Sequence, residues 1–468
     1  MKLLPVSLGC DKNLVDSEHM ISALAKSGYT LVDDESEADV ALVNTCCFIH
    51  DAKQESIDAI CELARLKDNG LKALIVCGCL AERYADEIRK EIPEVDVVVG
   101  MDRLGDIVSV IDAVLRKRPG GTLVTDDKHG MECDADNEFS LHNSSSERKS
   151  SAAGSWRTGR FITTPGHYEY LKIADGCNKN CTYCIIPKLR GTYRSVPMED
   201  LIFEAKTLAA NGVKELILVA QETTLYGIDI YGKKSLPELL CKLSEIDGIQ
   251  WIRILYAYPE EVDDELIEVM SINPKICRYI DIPIQSGSDN VLRMMGRRTR
   301  QDEIRDVIGR LRKKMSDICI RTTLIAGFPG ETQEDFEETY RFVNEMEFDR
   351  LGVFAYSREE GTPAYDFRPQ VPEKEKKRRS DELYELQQAV SYEVSQELIG
   401  KELEVIIDGY LPDDDVYVGR SYRDAPDIDG LVFIYSDREL VTGEMVTVLI
   451  KDAKEYDLEG AIVDESAE

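Results

Sequence analysis

GCNKNCTYC, at residues 176–184, places three cysteines in the spacing C-x3-C-x2-C directly after an apolar run at 168–174 that predicts a β-strand. A [4Fe–4S] cluster usually takes four thiolates, so a loop that supplies only three leaves one iron open to a small molecule. This arrangement favours chemistry at the open iron over simple electron storage.

Two other interpretations of the three cysteines stay open at this point: a structural zinc loop and three unrelated buried thiols. Zinc sites usually combine a C-x2-C pair with a second such pair or with an H-x3-5-H pair. No such histidine pair lies near the loop. The spacing therefore favours an iron–sulfur cluster.

The cysteine spacing also resembles the signature of the radical S-adenosylmethionine (SAM) enzymes. The resemblance implies a [4Fe–4S] cluster on Cys177, Cys181 and Cys184. It further implies that the amine and carboxylate of SAM occupy the open iron and that electron transfer cleaves the sulfonium.

Length and composition indicate a globular protein of several domains. The chain has 468 residues, of which 43% are hydrophobic, enough for two or three domains of ordinary size. Its 13 cysteines are odd in number and follow no secretory signal, which favours reduced thiols and metal ligation over disulfides. We expect a cytoplasmic protein without a membrane span, and nothing in the chain requires more than a monomer.

The charge balance is strongly acidic. The chain carries 89 Asp and Glu residues against 57 Lys and Arg residues, a formal net charge of −32. Because nucleic-acid-binding proteins present basic surfaces to phosphates, this balance argues against a tRNA or DNA partner and favours a basic protein partner. The alternative is that the acidity only confers solubility.

The first part of the chain alternates short apolar runs with amphipathic stretches. The apolar runs predict strands at 3–8, 40–43, 73–76 and 95–99. The amphipathic stretches predict helices at 17–26, 52–67 and 82–90. This alternation is typical of a parallel α/β domain, which we place at 1–126, followed by a polar linker or long surface loop at 127–163.

A second series of six predicted strands indicates a partial (β/α)6 barrel at 164–391. The predicted strands are 168–174, 215–220, 251–257, 279–284, 318–325 and 351–356. Each is followed by a polar or glycine-containing motif: the cysteine loop, QETT at 221–224, YP at 258–259, QSGS at 285–288, GFPG at 327–330 and SRE at 357–359. Because the carboxyl ends of such strands form the active face of a barrel, these motifs are expected to converge on one mouth.

Cys10, Cys46 and Cys79 stand at the ends of the first three predicted strands of the N-terminal domain. Parallel strands present their carboxyl ends at one edge, so these thiols predict a second three-thiolate cluster, with inert buried cysteines as the alternative. Cys47 and Cys77 are expected to point to the opposite side of their strands. The remaining cysteines have no partner spacing and predict buried structural thiols: Cys61, Cys133, Cys241, Cys277 and Cys319.

The chain resembles the methylthiotransferases over nearly its whole length. The resemblance rests on LGCxxNxxDSE at 8–18, NTCxF at 44–48, GC at 78–79 and the cysteine loop. It implies two [4Fe–4S] clusters in tandem, the second on Cys10, Cys46 and Cys79. AQETTxYG at 220–227 and YVGRSYRDAPDIDG at 417–430 resemble the branch that modifies small-subunit ribosomal protein uS12 rather than tRNA.

That resemblance implies a methylthio group added to the β-carbon of an aspartate. A SAM-derived radical would remove hydrogen, the second cluster would supply or present sulfur, and another SAM would supply the methyl group. It also implies an electron donor such as flavodoxin or ferredoxin. The implied SAM contacts are Gln221, Glu222, Gln285, Gly327, Phe328 and Gly330.

Two residue patterns depart from the uS12-modifying branch. That branch usually has Asp at the position of Glu222, and QSGS at 285–288 is closer to the tRNA-modifying relatives. A tRNA adenosine methylthiotransferase therefore stays an alternative. A non-enzymatic iron–sulfur carrier is a further one, although a carrier has no need of a barrel mouth around an open iron.

The C-terminal segment, 392–468, predicts a small β-barrel that resembles the TRAM domain, with strands at 403–407, 431–434 and 446–450. Residues 401–468 contain 6 Lys and Arg residues against 19 Asp and Glu residues. An RNA-binding surface is not expected to be so acidic, whereas a docking surface for a basic ribosomal protein is. The alternative is an acidic, solvated cap.

Overall fold

The computed structural model describes residues 1–116, 123–124 and 159–463 and divides into two compact units. Unit 1 comprises Met1–Ile162 together with Lys188–Arg190. Unit 2 comprises Thr163–Pro187 and Gly191–Glu468. The predicted linker lies outside the described residues up to position 158, as does Cys133.

Unit 1 is built on a six-stranded parallel sheet in the order β2-β1-β3-β4-β5-β6, which confirms the predicted parallel α/β fold. Its strands are β1 (Lys2–Ser7), β2 (Thr30–Leu31), β3 (Val40–Thr45), β4 (Ala73–Gly78), β5 (Val97–Val99) and β6 (Leu123–Val124). Its helices are α1 (Asp11–Lys26), α2 (His50–Ala64), α3 (Cys79–Arg83), α4 (Ala85–Glu91) and α5 (Ile107–Arg116). Every residue of β3 and β4 is buried, as expected for central strands covered on both faces.

Helix α2 is shifted by two to three residues from the predicted 52–67, and two other helices of unit 1 differ more clearly from the prediction. Helix α1 begins at Asp11 rather than at residue 17, because Lys12, Asn13 and Asp16 are polar yet buried and therefore do not show as an apolar stripe. The helix predicted at 82–90 is instead the pair α3 and α4, interrupted at Tyr84.

Unit 2 begins with a six-stranded parallel sheet in the order β14-β13-β12-β11-β10-β7, and all six predicted strands are present. These strands are β7 (Tyr168–Lys172), β10 (Glu215–Val219), β11 (Trp251–Ile254), β12 (Ile276–Asp281), β13 (Cys319–Ala326) and β14 (Arg350–Ala355). A short antiparallel pair, β8 (Ala174–Asp175) and β9 (Arg194–Ser195), frames the segment that contains the cysteine loop. The order and direction of the strands confirm the predicted partial barrel.

Helices alternate with the strands of the sheet, and the last helix leads from β14 to the C-terminal segment. They are α6 (Ile186–Leu189), α7 (Met198–Ala210), α8 (Ile228–Tyr231), α9 (Leu236–Ser244), α10 (Asp264–Ile272), α11 (Asp289–Met294), α12 (Gln301–Lys314), α13 (Gln333–Met346) and α14 (Glu373–Gln396). Among the described residues, no helix combines the length and apolar character needed to cross a bilayer.

A closed five-stranded barrel ends unit 2, in the order β15-β16-β17-β19-β18, and confirms the predicted small β-barrel. Its strands are β15 (Glu402–Leu411), β16 (Val416–Ser421), β17 (Val432–Tyr435), β18 (Met445–Ala453) and β19 (Leu458–Ile462). Strands β16 and β19 were not predicted, because glycine and charged residues interrupt their apolar pattern.

Buried ion pairs join this barrel to the amino ends of the sheet strands. Arg420, which is 2% exposed, donates to Glu215 over 2.7 Å and to Asp408 over 2.9 Å. Glu215 also accepts from Arg253 Nε over 2.7 Å. Burial favours the neutral form of Glu215, but the two guanidinium groups outweigh it and hold the pKa of Glu215 below its usual value.

The loop at 421–430 makes further ion pairs with the amino ends of the sheet strands. Arg423 pairs with Asp349 and Arg350 with Asp424, over 2.5 and 2.6 Å. These pairs, with those of Arg420 and Arg253, are called the buried ion-pair layer below. The tail motif at 417–430 therefore lies largely against the amino ends of the sheet strands, opposite the ends that carry the cysteine loop.

Replacing Arg420 by Met leaves Glu215 and Asp408 each with one partner fewer in a buried site. Breaking a buried ion pair typically costs about 3–5 kcal/mol. We expect the free energy of unfolding to fall by that amount in urea denaturation of the full chain followed by circular dichroism. The control is Arg438→Met, which removes an exposed pair with Glu444 and should change the free energy far less. Equal losses would contradict a structural role for the buried layer.

Candidate functional site

The cysteine loop is fixed by tight backbone contacts at the carboxyl end of the barrel strands. Gly176, at φ +79°, has no room for a side chain, because a Cβ there would lie 2.3 Å from the carbonyl oxygen of Thr192. The backbone N–H of Cys177 donates to Gly191 over 3.2 Å, and that of Thr182 donates to Met295 over 2.9 Å. The sequence between the cysteines is therefore held in one conformation.

Cys177, Cys181 and Cys184, the barrel site, are close enough to influence one another's ionisation. Burial, with a contribution from the neighbouring thiols, raises the pKa of Cys177 and raises that of Cys184 to about 12. The backbone N–H of Lys179 donates to the sulfur of Cys177 over 3.5 Å. Without metal Cys177 and Cys184 therefore stay protonated, and iron binding must release protons from them.

The donor set of the barrel site fits an iron–sulfur cluster. Iron–sulfur clusters are held by cysteine thiolates, and each thiolate binds a different iron. No group of three or more His, Cys, Asp or Glu side chains in the described part of the chain is placed to hold a single metal ion.

Charged side chains surround the barrel site. Lys179 Nζ lies 3.1 Å from Glu260 Oε1, 2.6 Å from Glu261 Oε1 and 3.7 Å from Glu222 Oε2. Burial raises the pKa of Glu222 to about 8, even though Lys179 favours its ionised form. A single lysine therefore faces three carboxyl groups, of which Glu222 holds its proton most readily.

Two buried polar atoms beside the cysteine loop have no hydrogen-bond partner in the structure. Glu222 is 0% exposed, and its Oε1 accepts from the Thr224 N–H over 3.1 Å, but its Oε2 accepts no hydrogen bond. Gln221 Oε1 is likewise unpaired. Unsatisfied buried acceptors are rare in native proteins and indicate a place for an absent donor. That this donor is the SAM amine stays a prediction.

The other predicted SAM contacts lie in well-packed loops. The N–H of Gly327 donates to Glu331 over 3.1 Å, and that of Gly330 donates to Pro369 over 2.9 Å. Phe328 is fully buried, with its ring centroid 5.4 Å from that of Tyr356. A SAM contact by these three residues stays a prediction.

Gln285 lies in the loop after β12, which ends at Asp281, and adopts an unusual backbone conformation. Its φ is +73°, in the left-handed region that costs a non-glycine residue about 1–3 kcal/mol and occurs often at functional sites. Its N–H donates to Thr323 over 2.9 Å, and its carbonyl accepts from Ile325 over 2.9 Å. Its role in binding SAM also stays a prediction.

Sequence reasoning missed two residues beside Cys181. Tyr258 Oη lies 3.9 Å from Cys181 Sγ, and the guanidinium of Arg297 lies 4.2 Å from the centroid of the Tyr258 ring. Tyr258 was identifiable only as part of a loop after a barrel strand. Arg297 follows α11, and no motif in the surrounding sequence marked it as a site residue.

Unit 1 brings together Cys10, Cys46 and Cys79, the second site. The cysteines follow β1, β3 and β4, which are neighbours in the sheet. Cys46 and Cys79 are buried, and Cys10 is exposed. Burial raises the pKa of Cys46 and raises that of Cys79 to about 12. Cys10 adds to both shifts, and Cys46 adds to that of Cys79.

Motif residues connect the loop that contains Cys10 with the loop that contains Cys46. Gly9, at φ +89°, packs so closely that a Cβ there would lie 2.5 Å from the Cβ of Cys46. Asn13 Nδ2 donates to the carbonyls of Leu8 and Thr45, each over 3.0 Å. The LGCxxN motif thus joins the ends of two neighbouring strands, which explains why its glycine and asparagine accompany the cysteine.

A buried cation belongs to the second site. Arg190 groups with unit 1, is 3% exposed, and donates to Asn13 Oδ1 over 2.5 Å and to Asp16 Oδ2 over 3.3 Å. Its charge opposes the effect of burial on the pKa of Cys46 and Cys79. A positive group beside these thiols suits an anionic thiolate-bound cluster.

The remaining cysteines only partly match expectation. Cys47, expected on the opposite side of its strand, lies past the end of β3 and donates its thiol to the Cys79 carbonyl over 3.2 Å. Cys277 and Cys319 are buried, as predicted. The prediction was wrong for Cys241, which is exposed, and for Cys61, which is half-buried, because both lie on outward-facing parts of amphipathic helices.

Three family models match the chain. The uncharacterized protein family UPF0004 matches residues 2–100, the radical SAM superfamily matches 171–343, and the TRAM domain matches 399–463. Among solved structures, the radical SAM methyltransferase TsrM from Kitasatospora setae matches with a TM-score of 0.53 and 13% identity, covering 87% of this chain and 78% of that one. At that identity the likeness shows the fold alone.

Two relatives are similar over almost their entire length. A ribosomal protein uS12 methylthiotransferase RimO from Lachnoclostridium phytofermentans is 53% identical, covering 98% of this chain and 99% of that protein. One from Thermoanaerobacter sp. is 48% identical, covering 97% of this chain and 98% of that protein. The chain therefore belongs to the family of ribosomal protein uS12 methylthiotransferases called RimO.

Proposed function

We propose that the protein is a radical SAM methylthiotransferase that adds a methylthio group to the β-carbon of an aspartate in ribosomal protein uS12. The observation that carries the proposal is the pair of three-thiol sites, one in each unit, each at the carboxyl ends of parallel strands. Family membership and the uS12-directed names of the relatives support the substrate.

In this proposal, Cys177, Cys181 and Cys184 hold one [4Fe–4S] cluster and Cys10, Cys46 and Cys79 hold another. When bound, the first supplies the electron that cleaves SAM and the second supplies or presents sulfur. The protein itself orients and shields the reactants. Gln221 and Glu222 each have a buried oxygen that accepts no hydrogen bond and is available to the SAM amine, and Lys179 forms ion pairs with the surrounding carboxylates.

The surface of the C-terminal barrel supports a basic protein partner. Two of its six basic residues, Arg420 and Arg423, are buried in ion pairs and add nothing to the outer surface. Complementary charge speeds encounter and selects a basic ribosomal protein over an RNA. In the described part of the barrel, the exposed acidic residues are Glu402, Glu404, Asp413, Asp414, Asp415, Asp427, Asp437, Glu439, Asp452 and Glu455.

We infer a monomer in the cytoplasm that receives electrons from a flavodoxin or ferredoxin. A tRNA adenosine methylthiotransferase would use the same two thiol sites, and the acidic barrel disfavours it.

Anaerobic incubation with SAM, a reductant and purified uS12 should add one methylthio group to an aspartate of uS12. Peptide mass spectrometry of uS12 measures the product, and bulk tRNA in a parallel reaction is the control substrate. The Cys181→Ala variant should form no product, because it removes a thiolate of the barrel site. Methylthiolation of tRNA with unmodified uS12 would contradict the proposed substrate.

The proposed role of Glu222 predicts a pH-dependent affinity for SAM. Because its pKa is raised to about 8, Glu222 is mostly neutral at pH 6.5 and mostly ionised at pH 9. Only the ionised form makes a charge-assisted hydrogen bond with the SAM amine, a contribution of about 1.5–3 kcal/mol. Equilibrium binding to the cluster-loaded protein should show the affinity advantage of wild type over Glu222→Gln rising about tenfold across this range.

The control for Glu222 is Glu238→Gln. Lys242 and Lys233 hold the pKa of Glu238 below its usual value, so Glu238 stays ionised throughout the range. Glu238 is not among the groups that act on the ionisation of Glu222, so the ratio of wild-type to Glu238→Gln affinity should not change with pH. An unchanged ratio for Glu222→Gln would contradict its contact with SAM.

A further inference from the structure

We propose that Tyr258 and Arg297 are positioning residues that raise the reduction potential of the barrel-site cluster by acting on the sulfur of Cys181. The inference rests on the proposed function, since it requires a cluster on the barrel-site cysteines. It assigns a role to two residues that have no part in binding SAM in the proposal above.

Tyr258 places a hydroxyl beside one ligand sulfur. Its Oη lies 3.9 Å from Cys181 Sγ, within reach of a hydrogen bond to sulfur. Its backbone N–H donates to Thr224 Oγ1 over 3.3 Å, which ties the residue to the loop after β10. A phenol is protonated at neutral pH, so it donates its proton toward an iron-bound thiolate.

Two cations hold the Tyr258 ring in this place. The Arg297 guanidinium lies 4.2 Å from the ring centroid, and Lys179 Nζ lies 4.8 Å from it. Lys179 is anchored in turn by Glu260 and Glu261, over 3.1 and 2.6 Å. Cation–π contacts at buried positions contribute about 2 kcal/mol. The two contacts therefore hold the Tyr258 ring, and with it the hydroxyl, beside Cys181.

Arg297 is a buried cation that makes no ion pair with a carboxylate among the described residues, although the more distant Glu260 favours its charged form. It is 8% exposed, and its NH2 group donates to the carbonyl of Pro283 over 2.8 Å. Its Nε has no hydrogen-bond partner in the structure. No carboxylate of the described chain lies within ion-pair distance of it. Burying a charge costs less when opposite charge lies nearby, and a thiolate-bound cluster would add negative charge to that of Glu260.

The direction of the effect follows from the charge of the cluster. A [4Fe–4S] cluster on three thiolates is negative, and reduction makes it more negative. Hydrogen bonds to its sulfurs and nearby positive charge therefore stabilise the reduced form more than the oxidised form and raise the reduction potential. Removing the Tyr258 hydroxyl or the Arg297 charge should lower it.

The test is a redox titration of the reconstituted full-length protein, monitored by electron paramagnetic resonance. The barrel-site cluster is the one whose signal changes on addition of SAM. Tyr258→Phe, which keeps the ring, and Arg297→Gln, which removes the charge, should each lower the equilibrium constant for reduction about tenfold, equivalent to about 59 mV. Arg297→Lys should restore most of the shift, since it keeps the charge.

Tyr279→Phe is the matched control. It removes another buried hydroxyl, which donates to Asp429 over 2.7 Å on the amino side of the sheet, and it should leave the potential at the wild-type value. Wild-type potentials in both Tyr258→Phe and Arg297→Gln would overturn the inference. A wild-type protein without any SAM-responsive cluster would instead overturn the proposed function, so the two failures are distinguishable.

Discussion

In both units, thiols gather at the carboxyl ends of parallel strands, where burial removes the water that stabilises a thiolate. The pKa of Cys184 in the barrel site and that of Cys79 in the second site are each raised to about 12. Only the thiolate binds iron, so the energy of metal binding must supply the ionisation. Arg190 beside the second site and Arg297 beside the barrel site provide positive charge next to the thiolates that metal binding would create.

The two ends of the six-stranded sheet of unit 2 have different roles. The carboxyl end carries the cysteine loop, the unpaired acceptors of Gln221 and Glu222, and the strained backbone of Gln285. The amino end is closed by the buried ion-pair layer, in which Arg420 and Glu215 join the small barrel to the sheet. The buried ion-pair layer thus lies at the opposite end of the sheet from the residues proposed to bind the cofactor.

Most of the fold could be predicted from the sequence, because parallel strands buried on both faces appear as continuous apolar runs. The cysteine positions followed from the same rule, since carboxyl ends of neighbouring strands meet. Contacts made by polar residues were harder to predict. The early start of α1, the contact of Arg297 with Tyr258, and the inward-facing Arg420 all depend on tertiary partners that no local pattern reports.

The central claim is that two separate three-thiol sites each hold a [4Fe–4S] cluster. Its most direct test is the iron and acid-labile sulfide content after anaerobic reconstitution of wild type, Cys181→Ala and Cys46→Ala. We predict about eight irons per wild-type chain and about four in each variant, because each substitution removes one ligand of a different cluster. A full complement of iron in either variant, or zinc alone in the wild type, would contradict the claim.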